Sequence, residues 1–479
     1  MSFQRFLYGS LLGILSWQVV SAQTTTVTVI PLTTLEAFQE PDPNWTLAAN
    51  ASADFTKPGN IRPLKGTGVV VNVPTRNNGS PLVTKQEFGD LELDLDFMTT
   101  KGTRSGLYLQ GRYKIQLADS WTTTKPTFAD CGGIGQRSDD AHGGYEGMAP
   151  AMNVAKAPGL WQHLKVKFRA PKFNDKGQKI TNARFDEVYL NGTLIHQQAE
   201  VTGPAEGALY PAEKATGPLV LQNGTGGMAF RNLTHQPVQE PKLLAVPSNP
   251  IAARRFLRVI NPIVVSPEGR PYLLRSYLTY GDKKRTHVIS VGAPNQVNYS
   301  YDLKQGALLQ VWHGQFMDVT AMWNERGEPQ LARPLGSVIA LSGAPALAVL
   351  PDANTTWPDS VAFEDLQNKG YVLDKNRVPT FRYVINGVGV DDKIAPLPTG
   401  ESLIRELTVT SAPDNLYCRI IAAGEIEKLG KGLYAIDGKA YYLQISDQFK
   451  PMIRKTTKGQ EMLVRVEKPA LPLTYSITW

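Results

Sequence analysis

From Gly89 to Phe97 the chain reads GDLELDLDF, so Leu91, Leu93, Leu95 and Phe97 alternate strictly with Glu92, Asp94 and Asp96. A period of two sorts apolar from charged side chains only on a β-strand with one face buried. The same alternation returns in WQHLKVKFRAP, DEVYLNGTLIH, TGPLVLQNG and MAFRNLTH, and no amphipathic helix of useful length precedes residue 235. Beyond residue 254 it continues through RFLRVINPIVV, THVISVG, GALLQVWHG, TFRYVINGVGV, LIRELTVTS and AYYLQIS. The Asn-Gly pairs in YLNGTL and VINGVGV supply the positive φ that a tight hairpin turn requires. Thirty-four prolines and 42 glycines spread along the chain fit many turns between short strands. The expected fold class is all-β.

A chain of 479 residues is too long for one ordinary core. QPVQEPKLLAVPSNP, between Gln236 and Pro250, is rich in proline and without pattern, which marks a linker. The expected organisation is a signal peptide over 1–22, a first β domain over 23–235, a linker over 236–253 and a second antiparallel β-sandwich over 254–479. The leader is read from Arg5, the apolar run FLYGSLLGILSWQVV and the small residues Val20 and Ala22, with cleavage after Ala22. It implies a periplasmic or secreted protein with no integral membrane segment in the mature chain. A net charge of +7, with no basic block carrying interleaved aromatics, argues against nucleic acid as a partner. Cys131 and Cys418 read as two separate thiols rather than a disulfide framework. Six scattered histidines with no paired spacing point to no metal site, and no cofactor fingerprint occurs.

The stretch SGLYLQGRYKIQLADSW, Ser105 to Trp121, carries the chemistry. Read as one strand, it places Leu107, Leu109, Tyr113, Ile115 and Leu117 in the core. Tyr108, Gln110, Arg112, Lys114 and Gln116, with Asp119 beyond, then fall on the other face. Planar hydrogen-bonding groups beside an aromatic ring suit the hydroxyls of a sugar, whereas an ordinary solvated face is the plainer reading. The glycine-rich loop from Asp130 to Trp161 adds Tyr145, Glu146 and Asn153; GYEG fixes a carboxylate between two glycines next to an aromatic. Ser138, Asp139 and Asp140 read as solvent-facing. His163 reads as a strand-surface residue and Trp161 as closing the core or the cleft edge. Trp312, Phe316 and Trp323, near His313 and Asp318, read either as core or as a second sugar surface.

The ordered blocks GDLELDLDF, SGLYLQGRYKIQLADSW, CGGIGQ, GYEG, NVAKAPGLWQHLKVKFRAP, YLNGTLIH, GPLVLQNG and AFRNL resemble the 3-keto-disaccharide hydrolase domain family. This is also called the 3-keto-glucoside-1,2-lyase/3-keto-2-hydroxy-glucal hydratase domain and is loosely grouped with glycoside hydrolase family 16. The likeness runs from about Leu35 to His235. It implies a concanavalin-like jelly-roll β-sandwich and net hydrolysis of 3-keto-glycosides. The chain departs from the family pattern in having Arg104 at an Asn position, Gln110 at an Arg position and Lys114 at an acidic position. The second half resembles a β-sandwich module attached to such domains.

A sugar oxidised at C3 has an acidified C2 hydrogen, so the reaction needs a base, a stabiliser for the enolate oxygen and a proton for the leaving group. Glu146 or Asp119 is the candidate base, with Lys114 and Arg112 as stabilisers. Tyr108, Gln110, Gln116, Asn153 and Tyr145 would hold substrate hydroxyls. No cofactor is called for, although a divalent cation is an open substitute for a stabiliser. The alternative is a non-catalytic carbohydrate-binding protein using the same face; an adhesive surface protein is a third reading. Oligomeric state is not legible.

Overall fold

The computed structural model describes residues 26–74, 79–139, 141, 143–240, 261–324, 330–467 and 471–479. The expected leader, residues 241–253 of the expected linker, Asp140 and His142 lie outside the described residues.

Two antiparallel sheets form the first half. The larger runs, in spatial order, through Thr193–Val201, Ala183–Leu190, Trp161–Arg169, Leu91–Thr99, Met228–Gln236, Ile61–Asn72 and Trp45–Ala53, with Thr28–Val29 beside Met228–Gln236. The smaller runs through Leu82–Phe88, Gly217–Leu221, Arg104–Leu109 and Tyr113–Ala118. The alternation read at Gly89–Phe97 is realised: Leu91, Leu93, Leu95 and Phe97 are buried while Glu92, Asp94 and Asp96 are partly exposed. Their apolar face meets that of the small sheet, where Leu107, Leu109, Ile115 and Leu117 lie in the same core. Tyr113 and Phe168 close the gap between the sheets with ring centroids 5.3 Å apart. The expected Asn-Gly hairpin forms, with Asn191 and Gly192 in left-handed backbone (φ 50° and 79°).

The second half is likewise antiparallel sheet packed on sheet. One sheet is an eight-stranded run in the order Leu366–Leu373, Pro379–Ile385, Val388–Pro396, Leu403–Val409, Leu473–Thr478, Tyr441–Ile445, Leu433–Ile436 and Ile426–Gly430. A six-stranded sheet, including Val297–Asp302 and Ala307–Asp318, faces it. Tyr301 bridges the two: its ring stacks on Phe381 at 4.1 Å and its hydroxyl donates to Asp392 at 2.8 Å. Asp392 is also gripped by Arg405 through two nitrogens, at 2.9 and 2.6 Å, and both residues are buried. Among the described residues the only helical pieces are Thr320–Trp323 and a single 3-10 turn, Asp447–Phe449.

Core packing accounts for most of the aromatic stretch around His313. Trp312 and Phe316 are buried and stacked 5.9 Å apart, and His313 is buried against Trp479 at 4.8 Å. Only Trp323 is half exposed, and Asp318 pairs with Arg333 at 2.7 Å. Cys131 and Cys418 are free buried thiols, as expected.

The halves meet along a polar and aromatic seam. Lys439 Nζ donates to the Ala51 carbonyl at 2.6 Å, and the Trp161 amide donates to the Lys439 carbonyl at 3.2 Å. The Tyr442 ring stacks on Phe55 at 5.2 Å while its hydroxyl reaches the Pro158 carbonyl at 3.2 Å. On the outer face of the larger sheet, Ala48, Ala51, Ile61, Val69, Val71, Met98 and Ala229 are buried around Trp161. Trp161 thus closes a core.

Candidate functional site

Ser105–Trp121 is not one strand. It folds back at Gln110 and Gly111, both in left-handed backbone (φ 55° and 64°), and the Arg112 amide closes the turn on the Leu109 carbonyl at 3.0 Å. The hairpin register pairs Tyr108 with Lys114, Gly106 with Gln116 and Arg104 with Ala118. Alternation survives the turn, so Tyr108, Lys114 and Gln116 share one face and Leu107, Leu109, Tyr113, Ile115 and Leu117 the other. Gln110-Gly111 turns the chain where steady alternation predicts a straight strand.

Gln110 and Arg112 therefore leave the face expected of them. Gln110 Nε2 donates to the carbonyls of Phe88 and Ala215, at 3.0 and 2.9 Å. Arg112 donates to the carbonyls of Ala212, Gln110 and Thr216, at 2.6, 2.7 and 3.4 Å, with its guanidinium over Tyr210. Both are buried and hold the 205–216 loop onto the hairpin tip. Buried donors filled by backbone carbonyls are structural anchors, not free ligand contacts.

The loop residues separate in the same way. Asn153 is buried, donates to the Ser120 and Thr123 carbonyls at 2.6 and 2.9 Å, and braces the following loop. Glu146 adopts φ 67°, accepts from the Thr202 hydroxyl and lies 3.5 Å from Arg137, whose guanidinium covers the Tyr145 ring. Asp119 accepts from the Gly102 amide at 2.8 Å, leaving Oδ1 buried without a partner. Burial raises its pKa above the ordinary aspartate value, against the opposing pull of that amide. No hydrogen bond or ion pair joins Glu146 or Asp119 to Lys114, so these carboxylates and the lysine do not form the expected base-and-stabiliser set.

What does converge is a patch floored by Gly106. A Cβ there would come within 2.4 Å of Lys114 Cε and 3.2 Å of Gln222 Oε1, so the missing side chain is what lets both lie across the sheet. Gln222 is placed opposite Gly106 by its amide bond to the Gly106 carbonyl at 2.9 Å. Gly135 pairs with Lys114 across the next edge, its amide 2.9 Å from the Lys114 carbonyl. Tyr108 forms the end wall, its ring 5.4 Å from the Lys114 ammonium and its hydroxyl on the Glu206 carbonyl at 3.0 Å. Among the described residues the side chains of Arg104 and Gln116 have no hydrogen-bond partner, and Gln222 Oε1 is an unmatched acceptor.

Burial pulls the Lys114 ammonium below the ordinary lysine range, and the Glu206 carboxylate partly opposes that pull. Burial and the same carboxylate raise the Tyr108 phenol to about 12, so Tyr108 stays protonated at neutral pH. Glu206, held by Gln136 at 2.9 Å, is a carboxylate beside Lys114 and Tyr108 that the alternation pattern has no means of finding. Its only sequence mark is its place in GPAEGALYP, a Gly- and Pro-dense loop with one charge. Among the described residues no cluster of three or more His, Cys, Asp or Glu side chains is arranged to hold a metal ion.

Residues 34–235 match the model of the 3-keto-alpha-glucoside-1,2-lyase-like domain. That segment therefore carries a carbohydrate-active domain. Two solved structures from Parabacteroides distasonis ATCC 8503, each provisionally named a glycosyl hydrolase, are similar to the chain at 20% identity. They cover 44% of it and 84% and 100% of their own chains, with TM-scores of 0.31 and 0.30. No curated protein matches.

Proposed function

We propose that the protein is exported and that its first domain cleaves 3-keto-glycosides on the Gly106 face by elimination at C1–C2 followed by hydration. The observation that carries this reading is the Lys114 ammonium, half-buried over Gly106 with a lowered pKa and no carboxylate bonded to it. In its neutral form Lys114 takes the C2 hydrogen that the C3 ketone has acidified. The electron pair moves into the enolate, whose oxygen meets the Arg104 guanidinium and the Gln116 amide. Collapse of the enolate expels the C1 oxygen, which takes a proton from water; the hydroxide so formed adds to C1 of the enone and the Lys114 ammonium returns its proton to C2, which restores the neutral base. Gln222 and Tyr108 position the ring, and Glu206 tunes Lys114. Lys114 thus becomes the base in place of Glu146 or Asp119, and Arg104 replaces Arg112 as the guanidinium at the reacting end.

The absence of a carboxylate bonded to Lys114 also favours a second reading, a binding face without turnover. The two separate in one assay. The purified protein is incubated with 3-keto-trehalose or a 3-keto-glucoside, and free aglycone and 3-ketoglucose are measured. Release that Lys114→Met abolishes supports the lyase. Binding without release, weakened by the same substitution, supports the binding protein.

A further inference from the structure

A second hollow, of about 300 Å³, lies on the opposite side of the first sandwich, where the two halves meet. Trp161, Gln162 and His163 line it from one strand, Lys156 and Arg231 flank them, and Ser337–Ile339 with Asp437, Gly438 and Ala440 close it from the second half. Its acidic groups already have partners. Asp96 accepts from His163 Nδ1 at 2.9 Å, Arg231 Nε at 3.0 Å and Asn232 Nδ2 at 2.8 Å. Asp94 lies 3.3 Å from the other His163 nitrogen, and Asp437 accepts the Glu425 amide at 3.0 Å.

The donors are in surplus. Among the described residues the Lys156 ammonium has no hydrogen-bond or ion-pair partner, although it lines a half-enclosed cavity. Gln162 Oε1 accepts from the Lys156 amide at 3.0 Å and Asn191 Nδ2 at 3.3 Å, which fixes Nε2 as a donor; Nε2 and Trp161 Nε1 are buried without acceptors. The Arg231 guanidinium, paired with Asp96 through Nε at 3.0 Å, lies 4.1 Å over the Trp161 ring. Lys156 is partly buried and has only the through-space attraction of Asp96, which Arg231, His163 and Asn232 already occupy, and a hollow of this size admits a ligand of monosaccharide dimensions.

We propose that this interdomain hollow binds a carboxylate-bearing ligand of about monosaccharide size, a sugar acid, with the carboxylate on Lys156 and Arg231. The site is independent of the Gly106 face and holds whichever reading of that face is correct. Burial lowers the Lys156 pKa to about 8, so a bound carboxylate restores the charge and takes up a proton near that pH.

The test uses the full chain and calorimetric titration with glucuronate, glucose and inorganic phosphate at pH 7. Saturable glucuronate binding, with glucose silent, is expected. Lys156→Met should weaken it by at least about tenfold, and Lys156→Arg should restore most of it. Ser337→Trp, which fills the hollow from the other half, should abolish it without altering Gly106-face binding. Glucuronate should also slow acylation of Lys156 by an amine reagent, read by peptide mass. Absence of glucuronate binding, equal binding of glucose, or binding indifferent to both Lys156→Met and Ser337→Trp would overturn the proposal. Phosphate binding as tightly as glucuronate would assign the hollow to inorganic anions and overturn the sugar-acid class.

Discussion

The Lys114 ammonium sits 5.4 Å from the centre of the Tyr108 ring, and the Tyr108 hydroxyl is itself tied to the Glu206 backbone carbonyl. The ring is fixed at both ends, so it acts as a rigid wall for the lysine instead of a mobile hydroxyl for a ligand. This arrangement divides the nearby side chains into those that touch a ligand and those that hold the face in shape.

Lys114→Met should lower turnover of a cleaved 3-keto-glycoside by ~10²–10⁴, the usual cost of a lost general base. If neutral Lys114 is the base, kcat/KM should rise with pH through its lowered pKa and level off before the ordinary lysine value of 10.5. The slope follows from the sign: protonation removes the base, so activity falls as pH falls. A pH–rate profile of the wild type checks this.

Gly106→Ala should leave the melting temperature within a few degrees of wild type but impair turnover and binding together, because its Cβ takes the space of the Lys114 Cε. Sugar titration paired with a thermal melt measures both effects.

Arg112→Ala and Glu146→Gln should separate stability from chemistry. Arg112 holds three backbone carbonyls, so its loss should cost ~1–3 kcal/mol by urea unfolding. Glu146 lies in a partly exposed pair with Arg137, so Glu146→Gln should leave turnover unchanged and cost less than ~1 kcal/mol of stability, the scale of a surface ion pair.

Asp392→Ala should destabilise the protein by ~3–5 kcal/mol, because it strands the buried Arg405 charge and the Tyr301 hydroxyl. Chemical denaturation is the measurement, and sugar binding on the Gly106 face should be unchanged under folding conditions.

Both cysteines should resist alkylation in the native state, since burial raises each thiol to about 12. Both should react fully, without prior reduction, in denaturant. Intact mass before and after labelling counts the thiols.

The β character and the inward residues of strands such as Leu91–Thr99 were legible because burial on one face imposes a period of two. Asn191-Gly192 and Asn386-Gly387 were legible as hairpins because that pair has a known backbone cost. The Gln110–Gly111 turn was not, since glutamine seldom takes positive φ and alternation on either side stayed in phase. Tyr108, Lys114 and Gln116 kept their shared face through that coincidence of phase. Gln110, Arg112 and Asn153 look like ligand contacts in one dimension because nothing local reveals the carbonyls that distant loops bring to them. Gln222 and Glu206 join the face only through strand pairing and a returning loop.

The Lys439–Ala51 and Tyr442–Pro158 contacts have a practical corollary for anyone dissecting the chain. The Ala51 carbonyl, the Trp161 amide and the Phe55 ring of the first half all take partners from the second half. A shortened protein ending near residue 240 would bare that surface to water and self-associate. In the full chain the two halves should melt as a single cooperative transition.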